Sequence, residues 1–240
     1  MKKKTPASSS APNNNRANQM NRNNPEFYRC RGIPMPPKAA KAQSIEATRA
    51  AGYREAEINI AAHEPNKAAY GRDNRKIESI VKRVFGPQAS ILKGGSRAKG
   101  TNLQSSDNDV KVRLPNNRVM TEQDRSVLHH ALKAAFGPER VDASNPRILK
   151  VRGEASEIDV VPVHSTYAGP GFHAGYPKKP FKDNPKARTA VRDVKLTAEE
   201  QGIHLRGYDI ERAVLSQQQE HSGEEWWETS WRAKSQLGVL

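Results

Sequence analysis

A chain of 240 residues with 35% apolar content is long enough for one sizeable domain or for a domain with appendages, and its formal charge of +14 at pH 7 points toward anionic partners. No stretch is long and apolar enough to span a bilayer, so no membrane partner is expected. The single cysteine, Cys30, excludes an intramolecular disulfide, which suits a reducing intracellular setting, cytoplasmic or, in a eukaryote, nuclear.

The first 41 residues carry nine Lys or Arg against one acid, Glu26, amid Asn, Ser and Pro. Such a segment has too little apolar surface to offset its ordering entropy, so residues 1–42 read as a disordered basic arm. An arm of that charge binds RNA by neutralising phosphates, or it is a solubilising tail; both readings stand. Its start, Met1-Lys2-Lys3-Lys4, is followed by Thr-Pro-Ala-Ser-Ser-Ser and lacks the apolar core of a signal peptide.

An alanine-rich helix is expected from Gln43 to Ala62, capped by Ser44 and closed before Pro65. Ile77, Ile80, Val81, Val84 and Phe85 then recur at helical spacing up to Gly86-Pro87, which predicts a helix with one face packed on a sheet. A short apolar run, Ala89–Leu92, leads to Gly94-Gly95-Ser96. Paired glycines let backbone approach a ligand, and helix-start amides joined by the Ser96 hydroxyl suit a phosphate chain. The same glycines also serve a strand-to-helix turn on steric grounds alone.

Beyond Gly100-Thr101, the alternation of Val110, Val112 and Leu114 marks a half-buried strand. Asp107 and Asp109 project to one face of it. Held together they repel, and the usual compensation is a hard divalent cation, Mg²⁺ or Mn²⁺. Taken alone, Ser105-Ser106-Asp107-Asn108-Asp109 is equally a solvated turn. A third acid, Asp159 within Glu157–Val163, is flanked by apolar residues and requires a partner. If its strand neighbours the first, three carboxylates converge on a site able to hold two ions roughly 3.5–4 Å apart.

Between these strands, Thr121-Glu122-Gln123-Asp124 resembles a capping box and opens a helix whose Val127, Leu128, Ala131, Leu132, Ala135 and Phe136 share one side. His129 and His130 face apart and read as surface or interface residues. Strands are expected near 140–142, 148–152 and 158–163, the last two joined as a hairpin through Gly153-Glu154-Ala155, with His164 close to the site or ending its strand. In the long loop of residues 168–185 and at its edge, Tyr167, Phe172, Tyr176 and Phe181 are interleaved with Lys178, Lys179 and Lys182. That mix either stacks a base and holds its phosphate or pins the loop by its aromatics. Helices are expected near 186–195, 197–201, 209–219 and 224–234, the last docking through Trp227 and Trp231.

Jointly, Gly94-Gly95-Ser96, Lys99-Gly100-Thr101, Ser106-Asp107-Asn108-Asp109-Val110 and Ile158-Asp159-Val160 resemble the signature of the DNA polymerase β-type nucleotidyltransferases. The wording is closest to the branch of oligoadenylate synthetases and bacterial cyclic-oligonucleotide synthases related to cyclic GMP-AMP synthase, and the match covers roughly residues 70–165. The resemblance implies an α/β fold: a mixed, mainly antiparallel sheet with helices on one side, over residues 43–166, and a loop and short helical extension over 167–240. It further implies transfer of a nucleoside monophosphate from an NTP, with ATP favoured, to a hydroxyl with release of pyrophosphate, in oligonucleotide or second-messenger synthesis or in RNA tailing.

By the same resemblance, Gly94, Gly95, Ser96 and Thr101 bind the nucleotide, Asp107 and Asp109 hold both of two Mg²⁺ (or Mn²⁺) ions, and Asp159 completes the site of the catalytic ion. Relatives add a lysine that grips the triphosphate. Here the stretch Leu205–Ser216 offers Val214 or Ser216 in its place, with Arg206, Arg212, Lys195 and Lys186 as substitutes. The alternative is a catalytically inactive core that binds RNA or a protein partner, and the sequence leaves the oligomeric state open.

Overall fold

The computed structural model describes Arg29, Arg31, residues 37–163 and residues 179–240. Most of the basic arm with Cys30, together with His164, Tyr167, Phe172, Tyr176 and Lys178, lies outside the described residues. The chain divides into two units, 1–57 and 58–240. In the first, the described backbone is mainly the beginning of helix α1, Pro37–Ala62, which starts ahead of the expected Gln43. Pro37 takes the first helical position, where a missing N–H is tolerated. All that follows belongs to the second unit.

Helix α2, Lys67–Phe85, is capped by Asn66, whose side chain accepts from the Ala69 amide at 3.0 Å. It is followed by β1 (Ser90–Lys93), the short helix α3 (Gly95–Lys99), β2 (Asn108–Arg113), α4 (Glu122–Phe136), β3 (Val141–Asp142), β4 (Leu149–Arg152) and β5 (Glu157–Pro162). The five strands lie in the order β1-β2-β5-β4-β3, every neighbouring pair antiparallel except β2 with β5. This is the mixed, mainly antiparallel sheet expected from the sequence. Ile77, Ile80 and Val81 of α2 and Leu128, Leu132 and Phe136 of α4 pack against Val110, Val112, Leu149, Val151, Ile158 and Val160, so the apolar alternation of the strands faces the two helices. The capping box of α4 forms as read, with Thr121 Oγ1 accepting from the Asp124 amide at 3.2 Å and Asp124 accepting from the Thr121 amide at 3.0 Å. Val127 departs from the expected stripe and is exposed, because it sits at the stripe's edge beyond the reach of the sheet.

The C-terminal part contains α5 (Lys179–Lys182), α6 (Pro185–Glu200), α7 (Gly207–Glu220) and α8 (Trp226–Leu237). The two helices expected at 186–195 and 197–201 are one, in which buried Leu196 continues the apolar face. Phe181 is fully buried with Ala187, Val191, Val194 and Val214 and anchors this bundle, so it presents no ring to a base. The docking of α8 is also corrected. Trp231 is exposed while Trp227 is half-buried, and Thr229, Ser230 and Ala233 face inward. The reason is Asp193, a carboxylate buried on α6: Ser230 Oγ donates to its Oδ2 at 2.6 Å, and Lys234 Nζ lies 2.6 Å from the same oxygen. A buried charge must be paired, and that demand selects the face α8 turns inward. Among the described residues no helix is long and apolar enough to cross a membrane.

Core and bundle meet at a buried ion pair between Lys99 of α3 and Glu211 of α7. Thr101 Oγ1 donates to the second Glu211 oxygen at 2.8 Å, and Lys195 of α6 donates to the Thr101 carbonyl at 2.9 Å. Removing one partner of such a pair strands the other charge in a low-dielectric interior. Glu211→Ala is therefore expected to lower unfolding free energy by about 3–5 kcal/mol in urea denaturation, and Lys99→Met/Glu211→Leu to recover a large part of that loss.

Candidate active site

The parallel pairing of β2 and β5 places Asp109 directly across from Asp159. Asp107 precedes β2 by one residue and lies on the same side of the chain as Asp109. Between them Asn108 points the other way and is fully buried: its Nδ2 donates to Asn74 Oδ1 of α2 at 2.9 Å, and its Oδ1 accepts from Arg97 Nη1 at 2.6 Å. These bonds fix the pleat, and with it the direction of both aspartates. The hairpin that carries Asp159 is held in the same manner. Gly153 N donates to Ser156 O at 3.0 Å across its turn, and buried Asp73 of α2 accepts from the Glu154 amide at 2.9 Å and the Ala155 amide at 3.3 Å. The sequence reading named Asn108 only as part of the Ser106–Val110 motif and did not name Asp73; the signal for each is a polar residue on a face otherwise given to the core.

Gly95 opens α3 with φ of +49°, and a Cβ built there would lie 1.6 Å from Asp109 Oδ2. The Gly94 amide donates to the Asp109 carbonyl at 2.8 Å. The glycine-serine turn is thus folded against the second aspartate, and only a residue without a side chain fits at Gly95.

A cavity of about 480 Å³ opens in front of this turn. Gly95, Ser96, Asp107, Asp109, Lys195 and Tyr208 are among the residues lining it. Gly94 lies behind the turn, and Thr101 is fully buried with its hydroxyl committed to Glu211, so Thr101 supports the turn from behind and does not reach the cavity. Asp159 stands beside the lining, one strand away from Asp109. Of the four candidate cations only Lys195 enters: Lys186 pairs with Glu225 at 3.0 Å, Arg212 leans on Asp209 at 3.9 Å, and neither they nor Arg206 line the cavity. Val214 is buried in the bundle and Ser216 donates to Glu220 at 2.9 Å. Tyr208 was not singled out by sequence, because nothing in its local pattern separates it from a helix-surface tyrosine.

Burial pushes the carboxyls of all three aspartates above their ordinary value, that of Asp159 to about 6, with Lys150 opposing and the neighbouring acids reinforcing the shift. At Asp107 the Glu157 carboxylate adds to it, and at Asp109 Asp107 does. Asp159 Oδ1 is buried without a hydrogen-bond partner, and Lys150 Nζ stands 4.0 Å from it. Lys195 is pulled down to about 8 by burial. Hard oxygen donors, mutual repulsion and one orphaned oxygen fit a divalent cation held by these residues. Among the described residues the three acids do not form a compact ligand cluster, so the expected convergence on one spot is met only by the Asp109–Asp159 pairing, with Asp107 beside it.

The nucleotidyltransferase domain family matches residues 74–182, a span that contains all three aspartates and the turn. No curated protein matches the sequence. Among solved structures the chain is similar to the polymerase core of TRAMP, an RNA surveillance complex, with a TM-score of 0.55 and 19% identity over 70% of this chain and 55% of that one. It is similar to the CdnE cyclic dinucleotide synthase of Elizabethkingia meningoseptica, with a TM-score of 0.52 and 16% identity over 70% of this chain and 76% of that one. A cytoplasmic RNA terminal U-transferase gives a TM-score of 0.50 and 16% identity over 68% of this chain and 50% of that one. At these identities the likeness is one of fold. The chain spans about half the length of the U-transferase it matches.

Two outcomes follow from the geometry. Gly95→Ala is expected to lower stability by about 1–3 kcal/mol through positive-φ strain and collision with Asp109, whereas Gly52→Ala, in a helix with open space, should not; urea unfolding of both checks this. A carboxyl whose value is raised in the fold destabilises that fold once ionised, fully above about 6 for Asp159 and not at all below the ordinary value near 4. Asp159→Asn should therefore stabilise the chelator-treated protein at neutral pH by up to about 3 kcal/mol, a gain that vanishes near pH 4.

Proposed function

We propose that this chain, matched by the nucleotidyltransferase domain family over residues 74–182 and resembling the DNA polymerase β type in its motifs, transfers a nucleoside monophosphate from an NTP to a hydroxyl acceptor and releases pyrophosphate. The observation that carries the reading is one cavity lined by the Gly95-Ser96 turn, a buried lysine and the Asp107–Asp109 pair, with Asp159 across the strand pairing. Asp107 and Asp109 would hold two divalent cations, Mg²⁺ or Mn²⁺, and Asp159 the one nearer the acceptor. When bound, such ions neutralise phosphate charge and lower the pKa of the attacking hydroxyl.

The remaining work falls to the protein's own groups. The Ser96 hydroxyl and the first amides of α3, which have no intrahelical acceptor, orient the terminal phosphates. Lys195 grips the triphosphate. Its Nζ is held by the Thr101 carbonyl, so the charge is aimed before substrate arrives, and it takes the role left open by Val214 and Ser216. Tyr208, partly exposed at the cavity, offers a ring to the base. We favour ATP on the oligoadenylate synthetase-like wording of the motifs. Likeness in fold to a cyclic dinucleotide synthase and to an RNA terminal U-transferase supports two products, short oligonucleotides and RNA tails. A charged Lys195 beside three intact acids speaks against the inactive-core alternative.

The test is incubation of the purified protein with each α-labelled NTP and Mg²⁺ or Mn²⁺, with and without RNA. Labelled product is expected, its size separating tails from short oligonucleotides, and it should vanish in Asp107→Ala/Asp109→Ala. Lys195→Met should raise KM for the nucleotide about ten- to a hundredfold, the worth of a charge-assisted hydrogen bond. A folded wild-type protein that labels nothing with any nucleotide would overturn the proposal.

A further inference from the structure

A second cavity, of about 490 Å³, lies among α2, the end of β1, the α3 turn and α6, and it shares no lining residue with the first. The two are divided by α3: Ser96 and Lys99 face the first, Arg97 and Gly100 the second. Lys67, Lys93, Arg97 and Arg192 line this second cavity, and no acidic residue does. Two carboxylates stand near it outside the lining: Glu64, shared by Lys67 at 3.2 Å and Arg192 at 3.3 Å, and Asp73, whose charge acts on Arg97.

Two of these cations are built into place. The Arg97 guanidinium lies 4.4 Å over the Tyr70 ring and gives Nη1 to Asn108, which orients its plane and leaves further N–H groups unused by that bond. Arg192 Nε is buried and has no hydrogen-bond partner. Concentrated positive charge with an unsatisfied guanidinium N–H, in a concave and partly desolvated setting, is resolved by an anion that accepts several charge-assisted hydrogen bonds at once.

We propose that this cavity is a second, non-catalytic site for a compact oligophosphate of the pyrophosphate or triphosphate class. Lys67, Arg97 and Arg192, with Glu64 offsetting part of their charge, suit a polyanion, and a concave cavity between two helices and a turn admits a compact solute better than the continuous backbone of a duplex. Arg97 is the neighbour of Ser96 in a five-residue helix, so an anion drawing on Arg97 bears on the turn that faces the catalytic cavity.

The experiment uses the full chain without divalent metal and reads binding, not turnover, so its failure is separable from failure of the transferase proposal. Ser96→Ala/Lys195→Met removes the phosphate-binding groups of the catalytic cavity, and calorimetric titration of this variant with inorganic tripolyphosphate is expected to show one remaining site. Adding Lys67→Gln and Arg192→Gln should weaken that binding about tenfold or more in a protein that still unfolds cooperatively. Lys67→Gln alone, on a side chain 79% exposed, gives a variant whose folding is not in question and should weaken binding in the same direction. Absence of binding in the first variant, or equal affinity after the cavity substitutions, would overturn the proposal. Tighter binding at this site by a short single-stranded RNA than by tripolyphosphate would overturn the compact-solute assignment.

Discussion

The parallel pairing of β2 with β5 is the constraint on which the molecule turns, because it sets two half-buried carboxylates, Asp109 and Asp159, side by side, with Asp107 two positions before Asp109. Side-chain direction alternates along a strand, so a slip of one residue would drive Asp109 into the apolar layer and turn Asn108 out. The register is accordingly secured from behind. Asn108 is tied to Asn74 and Arg97, and the hairpin carrying Asp159 is tied to Asp73. Three of these anchors belong to α2 and β2, which makes α2 the frame of the site as well as half of its core.

The helical extension is joined to that frame through charge. Lys99, Thr101 and Lys195 of three different segments converge on Glu211 and on the Thr101 carbonyl, directly beneath the Gly95-Ser96 turn. The same contacts that dock α6 and α7 therefore deliver Lys195 to the cavity. A residue with hydrophobic neighbours would have docked the helices as tightly, but it would not have left an ammonium group aimed at the place where phosphates are proposed to lie. Further along the bundle the buried Asp193 plays a comparable part, deciding which face α8 turns inward.

Similar folds are found in a cyclic dinucleotide synthase and in an RNA terminal U-transferase, so the fold does not by itself distinguish a product. Under the proposed function the distinction falls to the wall of the catalytic cavity formed by Ile203, His204, Leu205 and Tyr208. That wall lies in a segment without a strong local motif.

Much of the fold was legible because it rests on local periodicity. The stripe Ile77, Ile80, Val81, the alternation Val110, Val112, Leu114, the Thr121–Asp124 box and the Gly153 hairpin are each determined by residues a few positions apart, and the structure forms them with small shifts of boundary. The spacing of Asp107 and Asp109 likewise decided that they share a face. Only the tertiary structure decided which strands are neighbours, and hence that Asp159 belongs with them; which of four cations reaches the cavity; that Thr101 and Phe181 face inward; and that Trp231 is left outside. Those outcomes depend on partners scores of residues away, such as Glu211 for Thr101 and Asp193 for Ser230 and Lys234, and a buried charge is satisfied by whichever group the packing delivers, a choice no local pattern encodes.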